Sequence, residues 1–297
     1  MMRTGASFVR RQPKGFLDGV FPPIPVADAS HEVMRMYTGD LGVTFLDFDG
    51  TLRVQDLQLP IPSEWVDCTD IAGTKGLCDP FAARTIQSRL ARRRWRGVTF
   101  IGSGNYHYVS YLLLSEIREP FTLVLFDHHT DLAPMPNPPL SCGSWVSVAL
   151  DRLPQLRRIV IAGCRADAPR PGSEGSGTCP GAPRVRVLDE ATVRQDTPRS
   201  VAERLDQAAG PWPLYISVDK DVLRPADAAT DWDAGSVNLR RLLYWLVWLR
   251  RRHRIIGIDI CGEWPAHPLA LLSADAMRQI RKNQAANRAI LHALRCG

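Results

Sequence analysis

The chain has 297 residues, 45% of them hydrophobic and 23% charged, with a net charge of +6. That length allows a sizeable core in one α/β domain; no apolar run reaches the roughly 18 residues a bilayer crossing needs, and the first residues lack a signal peptide's apolar centre. The positive balance is carried by 33 arginines beside four lysines, a composition bias rather than the clustered charge with exposed aromatics of a nucleic-acid binder; the expectation is a cytoplasmic protein without nucleic-acid or membrane partners.

In chain order, residues 1–40 are irregular and proline-containing and predict an N-terminal arm, leaving residues 41–297 as a single α/β domain. A strand is expected at 43–48, a helix at 80–95, a strand at 98–101, a helix at 106–117, a strand at 121–126 and a helix at 144–151. A strand at 159–162 precedes a Gly/Pro/Ser-rich loop over 168–183; then come a strand at 185–188, a helix at 198–209, a strand at 214–218, a helix at 238–253, a strand at 255–260 and a helix at 273–294. Alternation of buried, β-branched strands with amphipathic helices predicts a three-layer α/β/α fold with a mainly parallel sheet covered on both faces. The arginine-ended helix at 238–253 could lie on a membrane surface, but the strand that follows at once favours packing on the sheet with its arginines snorkelling at the end. Arg92–Arg94 and Arg250–Arg252 fall near expected helix ends, where cations suit the helix dipole.

Ligands of an open parallel sheet bind outside the carboxyl ends of its strands, and three strands end in polar clusters. In LVLFDHHTD, Asp127, His129 and Asp131 are spaced i, i+2, i+4 and would share one face of an extended backbone. In YISVDKD, Asp219 and Asp221 share a face and Lys220 points away. In FIGSGNYHY, His107 follows a glycine-containing turn and opens a helix. Four converging carboxylates repel and raise one another's pKa; two divalent cations would cancel that charge. Carboxylate and imidazole without thiolate suit a hard ion such as Mn²⁺, and two such ions can share a bridging hydroxide, a strong nucleophile at neutral pH. The seven cysteines form no CxxC pair and suggest neither a disulfide framework nor a structural zinc site.

GSGNYHY, DHHTD and SVDKD together resemble the ureohydrolase (arginase, agmatinase and formiminoglutamase) family, whose signatures are a His after a Gly-rich turn, then DxHxD, then SxDxD. The resemblance implies an arginase/deacetylase-like fold and a hydrolase with a binuclear Mn²⁺ centre held by His107, Asp127, His129, Asp131, Asp219 and Asp221. It implies a small-molecule guanidino, amidine or formimino substrate attacked at a linear C–N bond by the bridging hydroxide, and it leaves room for a homo-oligomer. By the same resemblance Asp127 and Asp219 bridge the ions, His107 and Asp131 complete one, His129 and Asp221 the other, and Asp131 passes a proton to the leaving amine.

The departures concern the substrate. The family's Asp before its His is Tyr106 here; the arginases' later histidine falls near Cys142; and the family's guanidinium-holding glutamate in DIxEVNP aligns with Gly262 of DICGEWP, with Glu263 one residue later, where a bulge could restore it. Matching ligands with altered substrate contacts point to a divergent branch.

Several other readings compete. LDFDGTL matches the first motif of haloacid-dehalogenase-type phosphatases, with Asp47 as nucleophile and Asp49 as acid, but that reading leaves DHHTD and His107 unused. A one-zinc, deacetylase-like site would not need Asp131 and Asp221, and a catalytically inactive metal-binding relative would not need intact ligands. His128 reads as a packed or supporting histidine, Cys142 as a small apolar filler, and Asp231 and Asp233 beside Trp232 as acids either at the substrate mouth or in a solvated loop.

Overall fold

A computed structural model describes residues 42–57, 59, 61–133, 135, 137–168, 184–266 and 268–295. The expected N-terminal arm and all but the first residue of the 168–183 loop lie outside them. Eight strands form one sheet: β1 (Val43–Asp47), β2 (Ser63–Asp67), β3 (Val98–Phe100), β4 (Phe121–Phe126), β5 (Leu156–Ala162), β6 (Val185–Leu188), β7 (Leu214–Asp219) and β8 (Ile255–Cys261). Their order is β2-β1-β3-β8-β7-β4-β5-β6, and every neighbouring pair is parallel. The helices are α1 (Pro80–Ala91), α2 (Val109–Leu114), α3 (Trp145–Arg152), α4 (Glu190–Gln195), α5 (Pro198–Ala209), α6 (Leu239–Arg252) and α7 (Ala274–Arg295).

The strand residues divide by parity, as a pleated backbone requires. Leu123 and Leu125 of β4 join a core with α1, α2 and α3, whereas Val124 and Phe126 join a second core with α4 to α7. A helical layer on each face is the expected three-layer α/β/α architecture. Both faces of β4 are buried along its whole length, which is why FTLVLF reads as a continuous apolar run. The sequence-based spans of β4, β6 and α5 coincide with those observed, and most others differ by a residue or two. Two elements escaped notice. β2 is an edge strand whose residues alternate between exposed and half-buried, so SEWVD carries little apolar signal. α4 is six residues long, too short for a helical period to show.

Helix starts follow local chemistry. Asp79 precedes Pro80 and accepts hydrogen bonds from the Phe81 and Ala82 amides, and Thr197 precedes Pro198 and accepts from Ser200. Asn238 caps α6 by accepting from the Arg240 amide at 2.8 Å. Leu242, Trp245, Leu246 and Leu249 of α6 are buried in the second core, and the Trp245 indole donates to the Pro198 carbonyl, so this helix packs on the sheet. Among the described residues no helix is long and apolar enough to cross a membrane.

The connectivity places the polar strand ends. β3 and β4 follow each other in sequence but are separated in the sheet by β8 and β7. β4 continues to β5 on one side and its other neighbour, β7, continues to β8 on the opposite side, so the chain leaves the carboxyl ends of β4 and β7 in diverging directions, and a crevice forms at such a reversal of strand order. Replacing the α6 cap, Asn238→Ala, should cost about 1 kcal/mol and Asn238→Gly only a few tenths. The midpoint of urea unfolding should fall accordingly with an unchanged slope.

Candidate metal centre

The four middle strands, β3, β8, β7 and β4, deliver the polar cluster. After β3 a short 3-10 turn, Gly104–Tyr106, is capped by Ser103 and hands His107 to the start of α2. Asp127 follows the last residue of β4 directly, and His129 lies in the bend beyond it. Asp219 is the last residue of β7; its Oδ1 accepts the Asp221 amide at 2.9 Å and so folds Lys220–Val222 into a 3-10 turn.

The expected convergence is present, but an extended backbone does not produce it. The strands stop at Phe126 and Asp219, and bends aim the later ligands. Asp131 has φ of +49°, in the left-handed region that a non-glycine residue occupies at a cost. Its Oδ2 accepts the Trp145 indole N–H at 2.5 Å, which holds the carboxylate against His107.

Around His107 the geometry is tight. Its Nδ1 faces Asp131 Oδ2 at 3.2 Å, Asp127 Oδ2 at 3.3 Å and Asp219 Oδ2 at 3.4 Å. Its Nε2 meets Ser217 Oγ at 3.0 Å, and that hydroxyl donates to Asp259 Oδ1 at 2.7 Å. The relay fixes the ring and leaves Nδ1 for the carboxylates, as outer partners of metal-bound histidines do. On the other side His129 Nδ1 meets Asp221 Oδ2 at 2.9 Å and lies 3.6 Å from Asp127 Oδ1. The His128 amide donates to Asp221 Oδ1 at 3.0 Å, while its buried ring turns away from this set with Nδ1 unpartnered. Among the described residues, three groups could hold an ion, the candidate ligand atoms of each lying within 4.8 Å of one another: His107, Asp127 and Asp131; Asp127, His129 and Asp221; and His107, Asp219 and Cys261.

The electrostatics are those of a cluster short of positive charge. Burial, then the charges of Asp221 and Asp131, push the Asp127 carboxyl well above the usual carboxylate range, and burial with Asp221 lifts Asp219 to about 7. Burial pulls against a charged His107, but Asp131, Asp219 and Asp127 hold it up to about 10. Its hydrogen bond to Asp221 carries His129 to about 9 against the opposing effect of burial. Asp127 Oδ2 is buried without a hydrogen-bond partner. An orphaned carboxylate oxygen amid imidazoles and further carboxylates fits a divalent cation, since such an oxygen is otherwise costly to bury.

The cluster floors a cleft of about 260 Å³, walled by Trp232, Leu132, Cys142, Arg165 and Asp167. Trp232 stands edge-on to His129 with ring centroids 5.9 Å apart. Asp231 accepts from Asn105 at 2.9 Å and Asp233 pairs at 3.0 Å with Arg165, a residue of the cleft wall; neither acid is itself among the cleft-lining residues. Cys142 lines the wall, its thiol pushed up to about 12 by burial and by Asp131.

Glu263 behaves differently from expectation. Its carboxylate is fully buried and taken up by Lys220 Nζ, by Asn287 Nδ2 at 2.6 Å, Gln55 Nε2 at 2.7 Å and Asn283 Nδ2 at 3.0 Å. It is not among the cleft-lining residues. The proposed bulge does not return it to the cleft, because Gly262, with φ of +79°, turns the chain inward, and a Cβ there would come within 2.1 Å of Asp219 Oδ1. Asp47 and Asp49 form a turn after β1, Asp47 bonded to the Gly50 amide and to Arg53 and Asp49 to the Thr51 amide, and neither lines the cleft. The sequence reading missed Ser217, Asp259, Trp145 and Cys261. Asp259 was the detectable one, a lone carboxylate in the apolar strand IIGIDIC.

The Arginase family model matches residues 52–279. An uncharacterized protein of Thermotoga maritima is 30% identical over 221 residues, 74% of this chain and 79% of that one. Among solved structures, a hypothetical agmatinase from Burkholderia thailandensis has a TM-score of 0.60 at 20% identity, covering 86% of each chain. The formimidoylglutamase of Bacillus subtilis has a TM-score of 0.61 at 17% identity, covering 99% of this chain and 95% of that one.

The buried pair yields a stability test. Glu263→Gln leaves the Lys220 ammonium without its countercharge and should cost about 3–5 kcal/mol. Adding Lys220→Met should cost less than the sum of the two single changes, a coupling measurable by a double-mutant cycle in urea.

Proposed function

The chain belongs to the arginase family, and we propose on that premise that it hydrolyses a linear, non-peptide C–N bond in a small guanidino, amidine or formimino compound with the help of two divalent ions, Mn²⁺ by preference. The family's reaction is the hydrolysis of guanidino and amidino compounds. The observation that carries the reading is that Asp127 belongs at once to the His107–Asp131 group and to the His129–Asp221 group, as a carboxylate shared by two ions would. His107, Asp127 and Asp131, with Asp219, would hold one ion; Asp127, His129 and Asp221 the other. Bound there, the pair supplies Lewis acidity and a water that ionises near neutral pH.

The chain's own groups do the rest. The Asp259–Ser217 relay keeps His107 Nδ1 aimed at the carboxylates. Trp145 and His107 both engage Asp131 Oδ2, so Asp131 Oδ1 is the atom suited to carry a proton from the nucleophile to the leaving amine. A cleft of this size admits a small molecule, with Trp232 as an apolar wall and the Arg165–Asp167–Asp233 cluster at its rim.

Two outcomes test this reading. Asp127→Asn and Asp219→Asn should abolish divalent-ion binding, measured by calorimetry, together with turnover, whereas Asp47→Asn should leave both nearly unchanged; loss of phosphate-ester hydrolysis in Asp47→Asn alone would favour the phosphatase. A single tight zinc per chain, untouched by Asp221→Ala, would favour the deacetylase-like alternative.

The second outcome concerns substrate. With Glu263 committed to Lys220 and a neutral thiol at Cys142, neither a guanidinium-orienting glutamate nor an imidazole acid faces the cleft from those positions. General acid catalysis is typically worth about 10²–10⁴ for a poor leaving group. Steady-state kinetics should therefore show low turnover of L-arginine and better turnover of a smaller or more activated compound among agmatine, guanidinobutyrate and formiminoglutamate. Arginine turnover with a kcat on the order of 10² s⁻¹ would overturn that expectation.

A further inference from the structure

The third ligand group has a member that the proposed ligand set does not use. Cys261 ends β8 and is fully buried. In the register of β7 and β8, Ser217 pairs with Asp259 and Asp219 with Cys261, so these four side chains tile one patch of the sheet on the side of α1 to α3. Three of them already serve His107: Ser217 and Asp259 through its Nε2, Asp219 at its Nδ1. The fourth places its Sγ 3.1 Å from Asp219 Oδ2, and the Cys261, Asp219 and His107 ligand atoms lie within 4.8 Å of one another. The sulfur thus borders the space where His107 Nδ1 meets three carboxylates, one of whose oxygens, Asp127 Oδ2, is buried and unpartnered. A purely space-filling residue would not need sulfur against a carboxylate oxygen there. Gly262 next in the chain allows the approach, because any side chain at that position would strike Asp219.

We propose that Cys261 is a ligand of the ion held by His107 and Asp219, so that the two ion positions of the centre differ in kind. The inference rests on the binuclear reading above. On binding, the S–H bond breaks, a sulfur–metal bond forms and the proton leaves to solvent. The His129–Asp221 position, built from oxygen and nitrogen alone, keeps its match to Mn²⁺. The His107 position gains a soft donor, and thiolates select Zn²⁺, Co²⁺ or Fe²⁺ over Mn²⁺. The Mn²⁺ preference proposed above is thereby qualified at the His107 position alone, and the centre would take a mixed pair.

The test uses cobalt as the probe. Full-length protein stripped of metal and titrated with Co²⁺ under anaerobic conditions should develop visible ligand-field bands together with a near-ultraviolet thiolate-to-cobalt charge-transfer band. The charge-transfer band should persist in Cys142→Ser, whose thiol also lines the cleft, and vanish in Cys261→Ser while the ligand-field bands remain. Ligand-field bands without charge transfer in the unaltered protein, or a charge-transfer band that survives Cys261→Ser, would overturn the proposal and leave the binuclear reading standing. Failure of the unaltered protein to bind cobalt at all would sink both. Should Cys261→Ser not fold, cadmium NMR of the unaltered protein decides: a bound cadmium resonance strongly deshielded by sulfur supports the ligand, and one in the oxygen–nitrogen range excludes it.

Discussion

Four aspartates, Asp127, Asp131, Asp219 and Asp221, are buried together at the carboxyl ends of two adjacent strands, and the rest of the site is organised around that concentration of charge. Burial and the charge of the neighbouring aspartates hold the carboxyls of Asp127 and Asp219 above the usual carboxylate range. The protein's own compensation is partial. Backbone amides of His128, His129 and Asp221 each donate to one of these carboxylates, and two imidazoles lie among them. The nearest cation in sequence, Lys220, is not available. It sits between two of the aspartates, but from the 3-10 turn after β7 it reaches Glu263, which absorbs its charge. The cluster therefore keeps its negative character, which is the condition under which carboxylates select a divalent cation.

Holding such a cluster requires rigidity, and the fold supplies it through residues that never face the cleft. Trp145 of α3 is fully buried, so the indole that holds Asp131 is itself fixed by the first core. The left-handed backbone of Asp131 is tolerable only because that contact and the His107 contact over-determine it. Lys220, Glu263, Asn283, Asn287 and Gln55 form a second buried polar group that ties α7 and the segment after β1 to the strand ends. Its amides satisfy the carboxylate, so the pair escapes the penalty of an unpaired buried charge.

What could be read from the sequence followed from how far each feature depends on local pattern. β4 and β7 are legible because burial on both faces makes FTLVLF and LYISV continuous, and the ligands beyond them are legible because polar residues directly after such strands have a fixed place in a parallel sheet. The period-two argument found residues that do converge, yet for a different reason: Asp131 and Asp221 reach the cluster through a left-handed residue and a 3-10 turn, neither of which alternation can reveal. Glu263 was misplaced for a related reason. Whether a residue one position late reaches the cleft depends on the φ of Gly262 and on Lys220 waiting across β7, and both are tertiary facts. Cys261 carried no signal, since a cysteine at the end of an apolar strand looks like filler until β7 is laid beside it.

The same division separates the metal-binding cluster of this site from the walls of its cleft. Every group in the aspartate–histidine cluster sits at a strand end or within five residues of one, or in the short turn after β3, so its position is fixed by the sheet. The walls of the cleft lie farther out. Trp232 lies more than ten residues beyond the end of β7, and Cys142 more than ten beyond the end of β4. Loops tolerate change that strand ends do not, and a family that keeps its sheet can redirect the same chemistry by rebuilding them. In this chain the carboxylate that follows β8 is held not in the cleft but in a buried ion pair with the lysine that stands in sequence between two of the buried aspartates. On the proposed function, a substrate would then be recognised by the aromatic wall and the charged rim, with less help from the floor, which would tie selectivity to the loops and reactivity to the sheet.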